Sequence, residues 1–91
     1  MSTVRIPPVL RDETGGSRTV EVTGVTVARA LDDLFDRHPA LRDRVSSDGK
    51  LSEFINVYVN DRDVRYRDGL ETPVGPDDTI ILLPAMAGGG R

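Results

Sequence analysis

The chain contains no cysteine. That absence excludes a disulfide framework, a thiolate metal site and a cysteine nucleophile. Histidine occurs once, as His38, where a helical pattern stops; a place at a helix C-terminus accounts for it without catalysis. There is no long apolar run and no charged-then-apolar leader, so the expectation is a cytoplasmic chain with no membrane role. Excess positive charge is also missing. The net charge of -3 argues against nucleic acid as a main partner. Arg62, Arg65 and Arg67 form one basic cluster, but Asp61, Asp63 and Asp68 interleave with them, as on a solvated polar surface.

What is present suits one globular domain. Ninety-one residues, 37% hydrophobic and 30% charged, support a modest core and a soluble surface. Thr3 to Ile6 alternates polar and apolar, so a first strand is expected over residues 2–9, with a bulge or an edge near Pro7-Pro8. Asp12 to Ser17 is a turn cluster and Arg18 to Val22 alternates again, which completes a hairpin. Thr26 is placed to cap a helix in which Val27, Leu31, Leu34 and Phe35 share one face. That helix is expected to end near His38-Pro39.

Leu41 to Val45 reads as a short helical piece and Ser46 to Lys50 as a polar loop. Ile55, Val57 and Val59 alternate with Asn56, Tyr58 and Asn60 in the clearest strand. Gly69 to Pro76 reads mostly as loop, and Thr79 to Leu83 as the final strand. The order ββαββ predicts an α+β fold, a sheet with one main helix packed on one face. A period of two turns Ile80 and Leu82 towards the helix and Ile81 and Leu83 away from it. The outward pair is then either a docking patch or part of a central strand covered on both faces.

The parts of a conventional active site are hard to assemble. Ser46 and Ser47 have no base near them in sequence and read as turn residues. Asp32, Asp33 and Asp36 mark a solvated helix face, and Asp77-Asp78 looks like turn chemistry. Neither Gly15-Gly16 nor Gly88-Gly89-Gly90 has the lysine and following helix of a phosphate loop. No metal-ligand spacing is present. The sequence does not read as an enzyme.

The end of the sequence is more telling. The last strand gives way at Pro84 to Ala85-Met86-Ala87-Gly88-Gly89-Gly90-Arg91. Six extended residues span about 20 Å, and glycine lets a backbone enter a channel too narrow for side chains. The division is therefore a body over residues 1–84 and a flexible tail over 85–91. With no thiol in the chain, any sulfur it carried could not ride on a side chain, and the terminal carboxylate would be the alternative attachment point.

Three segments carry a family resemblance. They are Phe54 to Asp61 with Asp63-Val64-Arg65, Leu83 to Gly89, and Ile6-Pro7 and Leu10-Arg11 with Thr14-Gly15-Gly16. In these the chain resembles the ubiquitin-like sulfur carriers of the ThiS/MoaD group, most of all the CysO type of actinobacteria. The resemblance implies a β-grasp (ubiquitin-like) fold, a mixed sheet with a protruding diglycine tail. It implies that an E1-like, ATP-dependent enzyme adenylates the terminal glycine and that sulfur then displaces AMP. The resulting thiocarboxylate attacks an electrophile held on a separate enzyme, such as a cysteine synthase using pyridoxal phosphate or a thiosugar-type synthase. The carrier itself needs no cofactor.

Family members end at the diglycine, whereas here Gly90 and Arg91 follow Gly88-Gly89. The resemblance therefore implies trimming, and a JAMM-type metallopeptidase associated with the CysO type is the expected agent. Sulfur would then sit on Gly89, or on Gly90 if Arg91 alone is removed. Tyr58, Ile81, Leu83, Pro84 and Met86 are the expected docking residues. The alternative from another class is a ubiquitin-like protein modifier or a non-catalytic binding module.

Overall fold

Alternation in the sequence becomes a five-stranded mixed sheet with one amphipathic helix across it. The computed structural model describes residues 1–47 and 50–85, apart from the Ser47 side chain. Strand β1 (Ser2–Arg5) pairs antiparallel with β2 (Thr19–Val22), forming the expected hairpin. Helix α1 (Val27–Arg37) and the short α2 (Ala40–Val45) follow. A two-residue ladder, β3 (Ser46–Ser47) with β4 (Lys50–Leu51), leads to β5 (Ile55–Val59), β6 (Arg62–Asp63) and β7 (Thr79–Pro84). The order across the sheet is β2-β1-β7-β5-β6, with β1 and β7 parallel and the other neighbours antiparallel.

Local chemistry sets the helix limits. Thr26 is extended, and its side-chain oxygen accepts from the Arg29 amide at 3.2 Å, satisfying one of the orphan donors of the first turn. At the other end the His38 amide still donates to Leu34 at 2.9 Å before Pro39 turns the chain. Val27, Ala30, Leu31, Leu34 and Phe35 are buried against the sheet. From the sheet, Val4, Val20, Val22, Val57, Ile80 and Leu82 meet them in one apolar cluster, with Val59 packed at its margin. The interior is one continuous cluster, aliphatic apart from Phe35.

The first strand is shorter than its sequence pattern. It ends at Arg5, and Pro8–Thr14 forms a 3-10 helix rather than more strand. Proline at the first position of that turn supplies a preset φ and gives up an amide that would have had no partner. The Leu10 amide bonds to the Pro7 carbonyl at 2.9 Å, and the turn buries Leu10. Nor is β1 an edge strand: it lies between β2 and β7.

Two other loops carry more order than the sequence suggested. Ser46 and Ser47 pair with Leu51 and Lys50, while residues 48 and 49 lie outside the described residues. The Gly69 to Pro76 segment begins with a 3-10 turn, Gly69–Glu71, and then straps the start of α1. Val27 donates to Thr72 at 3.0 Å and Val74 to Val25 at 2.9 Å, which buries Thr72 and Val74.

Strand β7 runs through the middle of the sheet, yet among the described residues only one of its faces is covered. Ile80 and Leu82 lie beneath the helix, whereas Ile81 is half-buried and Leu83 is 42% exposed. The continuous apolar run thus serves a central strand and an open face together.

Candidate docking face and tail exit

The period of two along each strand decides what the open face displays. It carries Thr3 and Arg5 on β1, Asn56 and Tyr58 on β5, and Ile81 and Leu83 on β7. Register then aligns these residues across the sheet. Thr19 faces Arg5, Arg5 faces Ile81, Ile81 faces Tyr58, and Tyr58 faces Asp63, so one row crosses all five strands. One step further towards the tail, Leu83 lies opposite Asn56.

The two ends of β7 are held differently. At its start Asn60 adopts a left-handed φ of 57° and works as a clasp. Its amide donates to the Thr79 carbonyl at 2.7 Å, and its side-chain oxygen accepts from the Thr79 amide at 3.0 Å. Asn60 Nδ2 also donates to Asp78 Oδ1 at 3.1 Å, while Asp78 Oδ2 accepts from the Gly75 amide at 2.8 Å. These donors, the Gly75 amide first and Asn60 second, hold the Asp78 carboxyl below the usual carboxylate range by favouring its charged form.

At its far end β7 leaves the sheet beside Phe54. Pro84 is level with Ile55, and the Ala85 amide still donates to the Phe54 carbonyl at 2.8 Å. Around this exit lie Phe54, 55% exposed, together with exposed Leu83 and Pro84. These residues form an exposed apolar cluster beside the end of β7.

Of the expected docking residues, Tyr58, Ile81 and Leu83 come together on the open face, and Pro84 lies at the strand end. Met86, Gly88, Gly89, Gly90 and Arg91 lie outside the described residues. Phe54 was missed, although it shares the parity of Asn56 and Tyr58 and precedes the clearest strand. Arg5, which the register sets on the same face, was not among the expected residues either. Nothing local in the sequence shows that a parallel pairing sets Arg5 beside Ile81.

A family model described as the ThiS family matches residues 4–89. The chain belongs to the ThiS family. The match spans the sheet from β1 onward and stops at Gly89. Among curated ThiS-type relatives, the sulfur carrier protein CysO of Mycobacterium tuberculosis is 43% identical over 90 residues, 96% of this chain and 97% of the relative. A solved chain of the Amycolatopsis orientalis BexX/CysO complex superposes with a TM-score of 0.91 at 49% identity, covering 98% of this chain and 100% of that one. The small archaeal modifier protein 1 of Haloferax volcanii is 42% identical over 81 residues, 85% of this chain and 88% of the relative. The fold is the β-grasp that these sulfur carriers share. Proteins of this family are small carriers, not catalysts. Among the described residues no helix is long and apolar enough to cross a membrane.

Proposed function

We propose that this chain is a sulfur-carrier protein whose reactive group is the C-terminal carboxylate of Gly89. The observation that carries the proposal is the tail exit. The Ala85–Phe54 hydrogen bond holds the last described residue at the rim of an exposed apolar face. Met86 to Gly89 follow, four residues that span about 13 Å when extended. A family match ending at Gly89 and the 43% identity to a CysO sulfur carrier support the same assignment.

In the proposed chemistry an E1-like enzyme adenylates the Gly89 carboxylate with ATP, releasing pyrophosphate. Sulfide from a donor attacks the acyl carbon and expels AMP, leaving a thiocarboxylate. Ionised and polarisable, its sulfur attacks an electrophile on a recipient enzyme, such as a pyridoxal-phosphate cysteine synthase or a thiosugar-type synthase. Residues 1–84 serve as the body, 85–91 as the tail, and the setting is the cytoplasm. Tyr58, Ile81, Leu83, Pro84 and Met86 dock the partner, with Phe54 added beside the exit.

Gly90 and Arg91 stand after Gly89, so the residues beyond the diglycine must be removed first, and a JAMM-type metallopeptidase suits that cut. Removal of Arg91 alone would place the reactive end on Gly90. The test compares ATP–pyrophosphate exchange for chains ending at Gly89, at Gly90 and at Arg91 with the family's activating enzyme. Exchange is expected with the Gly89 end and not with Arg91 attached; equal exchange from all three would overturn the trimming step.

A second reading rests on the similarity to an archaeal modifier protein. Under it, the activated glycine is transferred to a lysine amine as an isopeptide. Conjugates that survive thiol treatment would favour that reading.

A further inference from the structure

Beside the tail exit the open face deepens into a groove with a chemistry of its own. Strand β1 stops at Arg5, level with Ile81, while β7 runs on to Pro84. The chain meanwhile swings away at Pro7-Pro8 into the 3-10 helix. The gap between them is a trough of about 570 Å³. Ile81, Leu83 and Pro7 line it with apolar surface, and Arg5, Arg11 and Arg18 line it as well.

The groove is locally basic. The chain is acidic overall, at net -3, yet the three arginines converge here. Arg37, Arg42 and Arg44 each pair with a carboxylate on the helix side. Among the described residues, no carboxylate lies within 4.0 Å of the Arg5, Arg11 or Arg18 guanidinium. Arg29, Arg62, Arg65 and Arg67 also have none within 4.0 Å, so what distinguishes the groove is three arginines grouped beside an apolar wall. Arg11 Nε is tied to the Ile6 carbonyl at 3.1 Å, so its charged end is oriented but not neutralised. Arg5 and Arg18 are exposed.

We infer that this groove receives an acidic segment of the enzyme that activates the tail, carboxylate side chains meeting Arg5 and Arg18 while an apolar side chain covers Ile81 and Leu83. The inference rests on the carrier reading above. An enzyme that encloses residues beyond Ala85 must also cover the surface beside the exit. Covering unpaired guanidinium groups with neutral protein would strip their water without replacement, which is strongly unfavourable. Carboxylates restore the lost interactions, and arginine's planar fork matches them two bonds at a time. A small anion would answer the charge and leave the apolar wall wet. An acidic segment with an apolar anchor satisfies both.

The experiment takes the chain ending at Gly89 as its wild type and measures association with the ATP-dependent activating enzyme by stopped flow, at low and high ionic strength. Charging is followed in parallel. Arg5→Glu/Arg18→Glu changes two exposed side chains and should leave the unfolding midpoint in place. At low salt it is expected to slow association by about tenfold and to remove most of the salt dependence. Arg5→Lys/Arg18→Lys is expected to restore the rate in large part. If the reversed chain associates like the wild type, with the same salt dependence and normal charging, the groove assignment falls and the carrier reading stands. A wild-type chain that is neither bound nor charged would remove both. Displacement of the wild type by inorganic phosphate at constant ionic strength would make this a small-anion site and overturn the assignment. So would a dimer of the chain that the reversal dissociates.

Discussion

The Ala85 amide donates to the Phe54 carbonyl at 2.8 Å, one residue beyond the last paired position of β7. The bond holds Ala85, the last described residue, beside Phe54. It also brings two consequences of one strand together. The residues of β7 that face α1 hold the core, while those that face outward border the exit.

That division of β7 is testable at adjacent positions. Leu82 is 1% exposed, so Leu82→Ala should lower unfolding stability by about 2–5 kcal/mol. Leu83→Asp, one residue along, should change stability by less than about 1 kcal/mol while weakening partner binding at least several-fold. Urea unfolding and titration calorimetry read the two quantities separately. A stability loss at Leu83 as large as that at Leu82 would place Leu83 in the core.

The Asn60 clasp should matter out of proportion to its exposure. Asn60→Ala removes side-chain bonds to Thr79 and Asp78 and puts a less tolerant residue at positive φ. A loss of about 1–3 kcal/mol is expected in urea unfolding. Retained stability would mean that the β5–β7 ladder holds its register without the clasp.

Asp78 gives the clasp a pH dependence. Its native pKa is lowered by the Gly75 amide and the Asn60 side chain. Its contribution is therefore present above the unfolded value of about 3.9 and is lost as pH falls through the native value. The stability difference between wild type and Asp78→Asn should be largest near neutrality and shrink as pH falls below about 4. Unfolding curves across that range decide it; a difference that grows with acid would give the shift the opposite sign.

Gly24 is constrained by geometry rather than by chemistry. Its φ is 146°, and a Cβ there would stand 2.6 Å from the Ala30 amide nitrogen. Gly24→Ala should cost more than about 2 kcal/mol by forcing the chain away from α1. Thermal unfolding would show it as a clear drop in midpoint; an unchanged midpoint would mean that the β2–α1 turn relaxes freely.

Much of this fold was legible because its main elements are strongly periodic. Thr26 with the Val27, Leu31, Leu34 and Phe35 stripe gave α1, and parity along Ile55 to Val59 and Thr79 to Leu83 separated the covered from the open face. What stayed hidden depends on partners distant in sequence. Pro7-Pro8 signals a break in the ladder, but not that a 3-10 turn will bury Leu10. The strap through Thr72 and Val74 exists only because Val25 and Val27 offer it backbone partners. Arg5 reads as one more polar residue in an alternating strand until the parallel β1–β7 register sets it beside Ile81. The Tyr58, Ile81 and Leu83 face was reachable by parity, while the arginine groove required the sheet order.

The measurement closest to the central claim is the intact mass of the chain ending at Gly89, after incubation with the activating enzyme, ATP and a sulfide source. A sulfur carrier gains the mass difference of one oxygen replaced by sulfur, localised to the terminal glycine by fragmentation. The same chain carrying Gly89→Phe should gain nothing and unfold at the same urea concentration. An unchanged mass, with an enzyme that charges a CysO-type relative in the same tube, would contradict the carrier reading.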